Sequence, residues 1–97
     1  MKSGVALQEE VVTAIREIVE RDMRRFGLKS VKVEVANDHD GEPAIWIATH
    51  YGKDGAPVEM RALAELGSKI RERLLDLGED RFPYLRYQFP ENHKIAS

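Results

Sequence analysis

The chain has 97 residues, no cysteine and a formal net charge of −2. That length holds one domain with a single modest core, and the lack of cysteine excludes a disulfide scaffold, a thiol nucleophile and thiolate metal ligation. The slightly acidic balance argues against strong sequence-independent binding of nucleic acid through overall charge, although a local basic patch stays open.

The first residues, Met1 to Glu10, lack the apolar stretch of a secretory signal. No run approaches the roughly 18 apolar residues needed to cross a bilayer. A soluble cytoplasmic protein without membrane contact is the expectation, with residues 1–97 as one domain. Val11, Val12, Ile15, Ile18, Val19, Met23 and Phe26 recur at helical spacing and predict an amphipathic helix over about residues 6–26. Gly27 is placed to close it in the left-handed conformation, while Arg24 and Arg25 complement the negative end of its dipole.

Val31, Val33 and Val35 alternate with Lys32 and Glu34, the pattern of a strand with one wet face. Asn37-Asp38-His39-Asp40-Gly41-Glu42 then reads as a turn, so that 30–36 and 43–51 form a β-hairpin. Pro43 cannot donate a ladder bond and suits a strand start at an edge or an unpaired position. The second strand is unusual because neither face carries a charge. Ile45, Ile47 and Tyr51 point one way, and Ala44, Trp46, Ala48 and His50 the other.

Residues 52–57 break the strand, and Pro57 suits the first turn of a second helix. Its buried stripe is predicted to be Met60, Leu63, Leu66, Gly67, Ile70, Leu74 and Leu77, with Gly67 serving close packing or a kink and Gly78 ending the helix. Residues 79–83 read as a connection. In the third strand, Leu85, Tyr87 and Phe89 alternate with Tyr84, Arg86 and Gln88. Residues 91–97 read as a mobile tail.

The order predicts an α+β fold, a two-layer α-β-β-α-β arrangement with both helices on one face of a three-stranded sheet. A right-handed crossover through the second helix reaches the third strand, which pairs with either the first strand or the second.

Motifs for chemistry are sparse. Asp38 to Gly41 resembles part of a calcium loop, but Ala36 and Ile47 occupy ligand positions, so turn formation is the better reading. The histidines, His39, His50 and His93, lack metal-ligand spacing, which predicts no metal and no cofactor. His50 with Asp54 or Glu59 is a conceivable acid–base pair, yet no nucleophile elbow or phosphate loop accompanies it, and the expectation is a protein that is not an enzyme. Strand alternation puts Trp46, Ala44, Ala48 and His50 on the face that also carries Lys32 and Arg86. That face is the expected site of protein association, self-association included, because an exposed edge of the second strand can pair with its twin. The alternative is that the stems of Arg86 and Lys32 simply cover Trp46.

Ala62 to Leu74, followed by Phe82-Pro83-Tyr84-Leu85-Arg86-Tyr87-Gln88-Phe89, resembles ribosome-binding factor A, a type II KH-like domain with a glycine-interrupted helix before a last strand introduced by proline. The family's Ala-x-Gly would fall on Glu65-Leu66-Gly67, where the alanine is missing. The resemblance implies contact with structured RNA through Gly67, Ser68, Lys69, Arg71 and Arg73. Residues 21–32 are basic, with Arg21, Arg24, Arg25, Lys29 and Lys32 against Asp22 alone, and Arg24, Arg25 and Lys29 would extend such a surface.

Overall fold

A computed structural model describes residues 7–91, 93 and 95–96. The expectations for residues 1–6 and for positions 92, 94 and 97 lie outside the described residues. Helix α1 spans Glu9–Met23 and continues as a 3-10 turn, Arg24–Phe26. It starts later than residue 6 because Gln8 is extended, and Glu9 and Glu10 then stand in the first turn, where negative charge meets the helix's positive end. Gly27 has φ +88° and donates its N–H to the Arg24 carbonyl, closing the helix as expected.

Strand β1 (Leu28–Asn37) and strand β2 (Pro43–Tyr51) form the antiparallel hairpin. The two-residue strand β3 (Val58–Glu59) precedes helix α2 (Met60–Asp76), and strand β4 (Phe82–Gln88) returns parallel to β2. The sheet order is β1-β2-β4. The third long strand therefore pairs with β2, and β2 is central. Its backbone is bonded on both sides, so pairing of its edge with a twin is not available.

Three sequence expectations need correction around α2. Pro57 is not in its first turn, because β3 intervenes and pairs in parallel with β5 (Ile95–Ala96), a strand that periodicity does not show. Met60 is 59% exposed and leaves the buried stripe, which Leu66, Ile70 and Leu74 hold. Gly67 makes neither a kink nor a close approach. The helix runs unbroken through it, and an added Cβ would touch only Leu85 Cδ1, at an ordinary 3.7 Å.

Leucine and valine stripes of both helices meet the inner face of the sheet. Val11, Ile15, Val19, Met23 and Phe26 pack with Leu66, Ile70 and Leu74 over Val31, Ile45, Ile47 and Tyr51, forming one core between two layers. Helix α2 ends in a Schellman turn. Gly78 (φ +77°) donates to the Leu75 carbonyl and Glu79 to that of Leu74. Just beyond lies a buried ion pair, in which Arg81 donates from Nε to Glu79 Oε2 at 2.8 Å and from a terminal nitrogen to Oε1 at 3.1 Å. The hydrogen bonds it donates to Glu79 hold the Arg81 guanidinium's pKa above its ordinary value, against partial desolvation. The strand that follows begins at Phe82 and passes through Pro83, so residues 82–83 are not part of the connection. An edge strand tolerates the missing N–H.

Candidate functional site

With both helices on the inner face, the outer face of the sheet is assembled from one parity of each strand. The register aligns Ser30 with His50, Lys32 with Ala48, Glu34 with Trp46 and Ala36 with Ala44 on one side of β2. On the other it aligns Ala44 with Phe82, Trp46 with Tyr84, Ala48 with Arg86 and His50 with Gln88. The expected neighbours of Trp46 thus share its face, and Phe82 and Tyr84 join them.

Trp46 is the centre of an ordered cluster. The Tyr84 ring stacks on it with centroids 4.6 Å apart and planes 19° apart, the Arg86 guanidinium lies 4.8 Å from its centroid, and Phe82 tilts against Tyr84 at 4.8 Å. Such contacts are favourable through the ring quadrupole. Both polar handles of the aromatic pair are tied to the hairpin. Trp46 Nε1 donates to the Ala36 carbonyl at 3.2 Å, and the Tyr84 hydroxyl donates to Asp38 Oδ2 at 3.1 Å. Asp38 in turn accepts the N–H groups of Glu42 and Asp40 through Oδ1. The turn-forming role expected of this acid is what its geometry displays.

These bonds set the local electrostatics. Hydrogen bonds from the Glu42 backbone, then from Asp40 and Tyr84, outweigh partial desolvation and hold the Asp38 carboxyl below its usual pKa. The Tyr84 phenol is raised, by desolvation first and then by its bond to Asp38. Beside the cluster lies a shallow cleft of about 310 Å³ lined by Glu34, Ala36, Asp38, His39, Trp46 and Arg86.

Two members of the expected face take different parts. Ala44 is only 1% exposed and cannot touch a partner. His50 faces Ser30 Oγ at 3.4 Å and makes no ion pair with Asp54 or Glu59; Glu59 instead lies 3.8 Å from Arg25. The acid–base pair suggested by sequence is therefore not assembled. Lys32 Nζ stands 4.0 Å from Glu34, the cross-strand partner of Trp46, and the Arg86 guanidinium lies over the indole.

The residues implied for RNA fall in separate places, Lys69 and Arg73 lining one cleft between the helices. Lys69 reaches across to α1 and donates to Asp22 Oδ2 at 2.8 Å, beside an Arg21 contact at 3.2 Å. Desolvation raises the Asp22 pKa, but the bonds from Lys69 and Arg21 prevail and leave it lowered. Arg71 is on the other flank of α2, with its guanidinium 5.1 Å from the Phe82 centroid. Gly67 faces Leu85, while Ser68 is exposed, and Arg73 lines that cleft with Glu17, Glu72 and Asp76. Arg24 and Lys29 line a separate groove of about 400 Å³ with Arg16 and Glu20.

Phe82 and Asp38 are the site residues that sequence reasoning missed. Extending the β4 alternation two positions upstream would have found Phe82, but Pro83 reads as a break. The reach of Asp38 to Tyr84 spans 46 positions and has no sequence signal.

Among the described residues, no group of three or more His, Asp or Glu side chains is placed to hold a metal ion, and no helix is long and apolar enough to cross a membrane. No protein-family model matches this chain, and neither a curated protein nor a solved structure matches it.

Proposed function

We propose that this chain is a small, non-catalytic, cytoplasmic binding module that associates with another protein through the outer face of its sheet. The observation that carries this reading is the Trp46–Tyr84–Phe82 cluster with Arg86, held in place by hydrogen bonds from its own polar groups to the hairpin. Tryptophan, tyrosine and arginine are the side chains that most often dominate binding energy. Rings already locked in one arrangement lose little conformational entropy on association.

Structured RNA is the second reading, supported by the groove that Arg16, Arg24 and Lys29 line and by the resemblance to ribosome-binding factor A. Three features weigh against it. Trp46 and Tyr84 spend a π-face on each other, Lys69 is committed to Asp22, and Arg25 lies beside Glu59. An enzyme built on His50 comes third, since its ring faces a serine hydroxyl and not a carboxylate.

Capture from the native host, read by mass spectrometry and RNA sequencing together, tests the order. The expected result is a protein retained by wild type and by Lys69→Glu but lost by Trp46→Ala and Arg86→Glu. Retention of RNA that is lost on Lys69→Glu or Arg71→Glu and weakens with salt would reverse the ranking.

A further inference from the structure

The exposed large hydrophobic residues among the described ones are Met60 (59%), Leu75 (69%) and Phe82 (45%). Met60 and Leu75 lie on α2 together with Ala64 and Arg71, a stripe at helical spacing. The contact of Arg71 with Phe82 shows that this stripe overhangs β4, whereas the opposite flank, through Lys69, faces α1. Strand β4 itself is an edge, paired with β2 on one side and with no described strand on the other.

The backbone of that edge can be oriented. The Arg86 carbonyl accepts a bond from Thr49 Oγ1 of β2 at 2.9 Å and so points toward β2. Successive strand residues turn their backbone groups to opposite sides, which leaves Leu85 and Tyr87 presenting theirs outward. Pro83 shares that parity, so its missing N–H falls on the open side, where edge prolines belong.

We propose that a second copy of this chain docks here, its β4 pairing antiparallel with β4 about a two-fold axis through Leu85. Leu85 N–H and C=O groups then bond reciprocally, and Tyr87 N–H meets the Pro83 carbonyl in both directions. On the outer face each Arg86 comes opposite the other copy's Tyr84, and no cation faces its own twin. This self-complementarity is what an isologous contact requires.

The helical layer agrees with the same axis. Leu85, the centre of β4, lies under Gly67. A two-fold between Gly67 and Ser68 matches Gly67 with Ser68, Ala64 with Arg71, and Met60 with Leu75. Small residues fall where the helices cross, and the two exposed apolar side chains of α2 cover each other. The other sheet edge has none of this: β1 carries exposed Lys29, Lys32 and Glu34, and none of the exposed large hydrophobics lies on it.

This contact runs along the β4 edge and borders the outer-face site at Phe82, Tyr84 and Arg86, but it does not involve Trp46 or Lys32, and sedimentation velocity on the full chain separates the two. Wild type is expected to sediment at twice the 11.1 kDa chain mass at micromolar concentration. Ala64→Arg, which sets cation against the other copy's Arg71, should weaken the dimer by about tenfold or more. Adding Arg71→Glu to it should restore the dimer. Trp46→Ala and Lys32→Glu should leave it intact. Circular dichroism checks that each variant is folded, and both α2 positions are exposed. A wild-type monomer at about 100 μM, a dimer indifferent to Ala64→Arg, or a dimer lost on Lys32→Glu overturns the proposal.

Discussion

The loop 52–57 is clamped to the C-terminal end of α1, and one glycine makes the fit possible. Gly52 donates to the Gly27 carbonyl at 2.7 Å and Ala56 to that of Arg25 at 2.8 Å. A Cβ on Gly55 would stand 2.0 Å from the Phe26 carbonyl carbon and 2.3 Å from the Gly27 nitrogen, both backbone atoms that cannot swing aside. Ordinary contact begins at 3.4 Å, so Gly55→Ala must drive the loop back by roughly 1.4 Å. That displacement stretches both clamping bonds beyond hydrogen-bond range. At about 1 kcal/mol each, the loss is about 2 kcal/mol, or a Tm lower by about 8–16 °C for a domain of this size. Gly67→Ala is the internal control. Its Cβ meets only Leu85 at 3.7 Å, so the gain in helix propensity should appear almost undiminished, at about 0.5–1 kcal/mol and a Tm higher by a few degrees. Thermal unfolding followed by circular dichroism measures both. A Gly55→Ala protein with wild-type Tm would refute the clamp, and shifts of the same sign in both variants would refute the steric argument.

Acid should destabilise the fold through Asp22 and Asp38, whose carboxyls are held below their usual pKa. A depressed folded-state pKa contributes stability above the unfolded value, near 4, that is lost as pH falls through the folded value. Urea midpoints between pH 6 and pH 2 should therefore drop below about pH 4, and Asp22→Asn with Asp38→Asn should flatten the curve. In alkali the sign reverses. Burial raises the Tyr51 phenol, and it pushes Tyr87 up to about 12, where the neighbouring Tyr51 adds to the effect. Stability linked to these groups is present below pH 10 and is lost as pH rises toward 12. Phenolate absorbance should show no tyrosine titrating at the ordinary value before unfolding begins, because Tyr84, the remaining tyrosine, is raised too. Two or more groups titrating normally near pH 10 in the folded protein would contradict the burial of Tyr51 and Tyr87.

Local pattern was enough to place both helices, the hairpin and β4, because each buries one stripe or one parity, and that periodicity is written in consecutive residues. The glycine caps at Gly27 and Gly78 were equally legible, since a left-handed residue after an apolar helical run has few other occupants. Strand alternation put Trp46 on the face that also carries Lys32, His50 and Arg86, and the register places them on that face. Periodicity misjudged Met60, whose spacing suits the buried stripe but whose turn of α2 overhangs the β4 edge.

What tertiary structure alone decided is pairing across long separations. The place of β4 beside β2 follows from the crossover of α2 and makes β2 central, which moves the open edge to β4. The same placement brings Phe82 and Tyr84 to Trp46, and ties Lys69 to Asp22 so that the expected basic surface is divided. The burial of Glu79 with Arg81 was invisible because two charges beside a glycine and a proline read as a wet turn. An amino-acid pattern specifies which side of an element is dry. Only the packed chain specifies what stands on the other side of it.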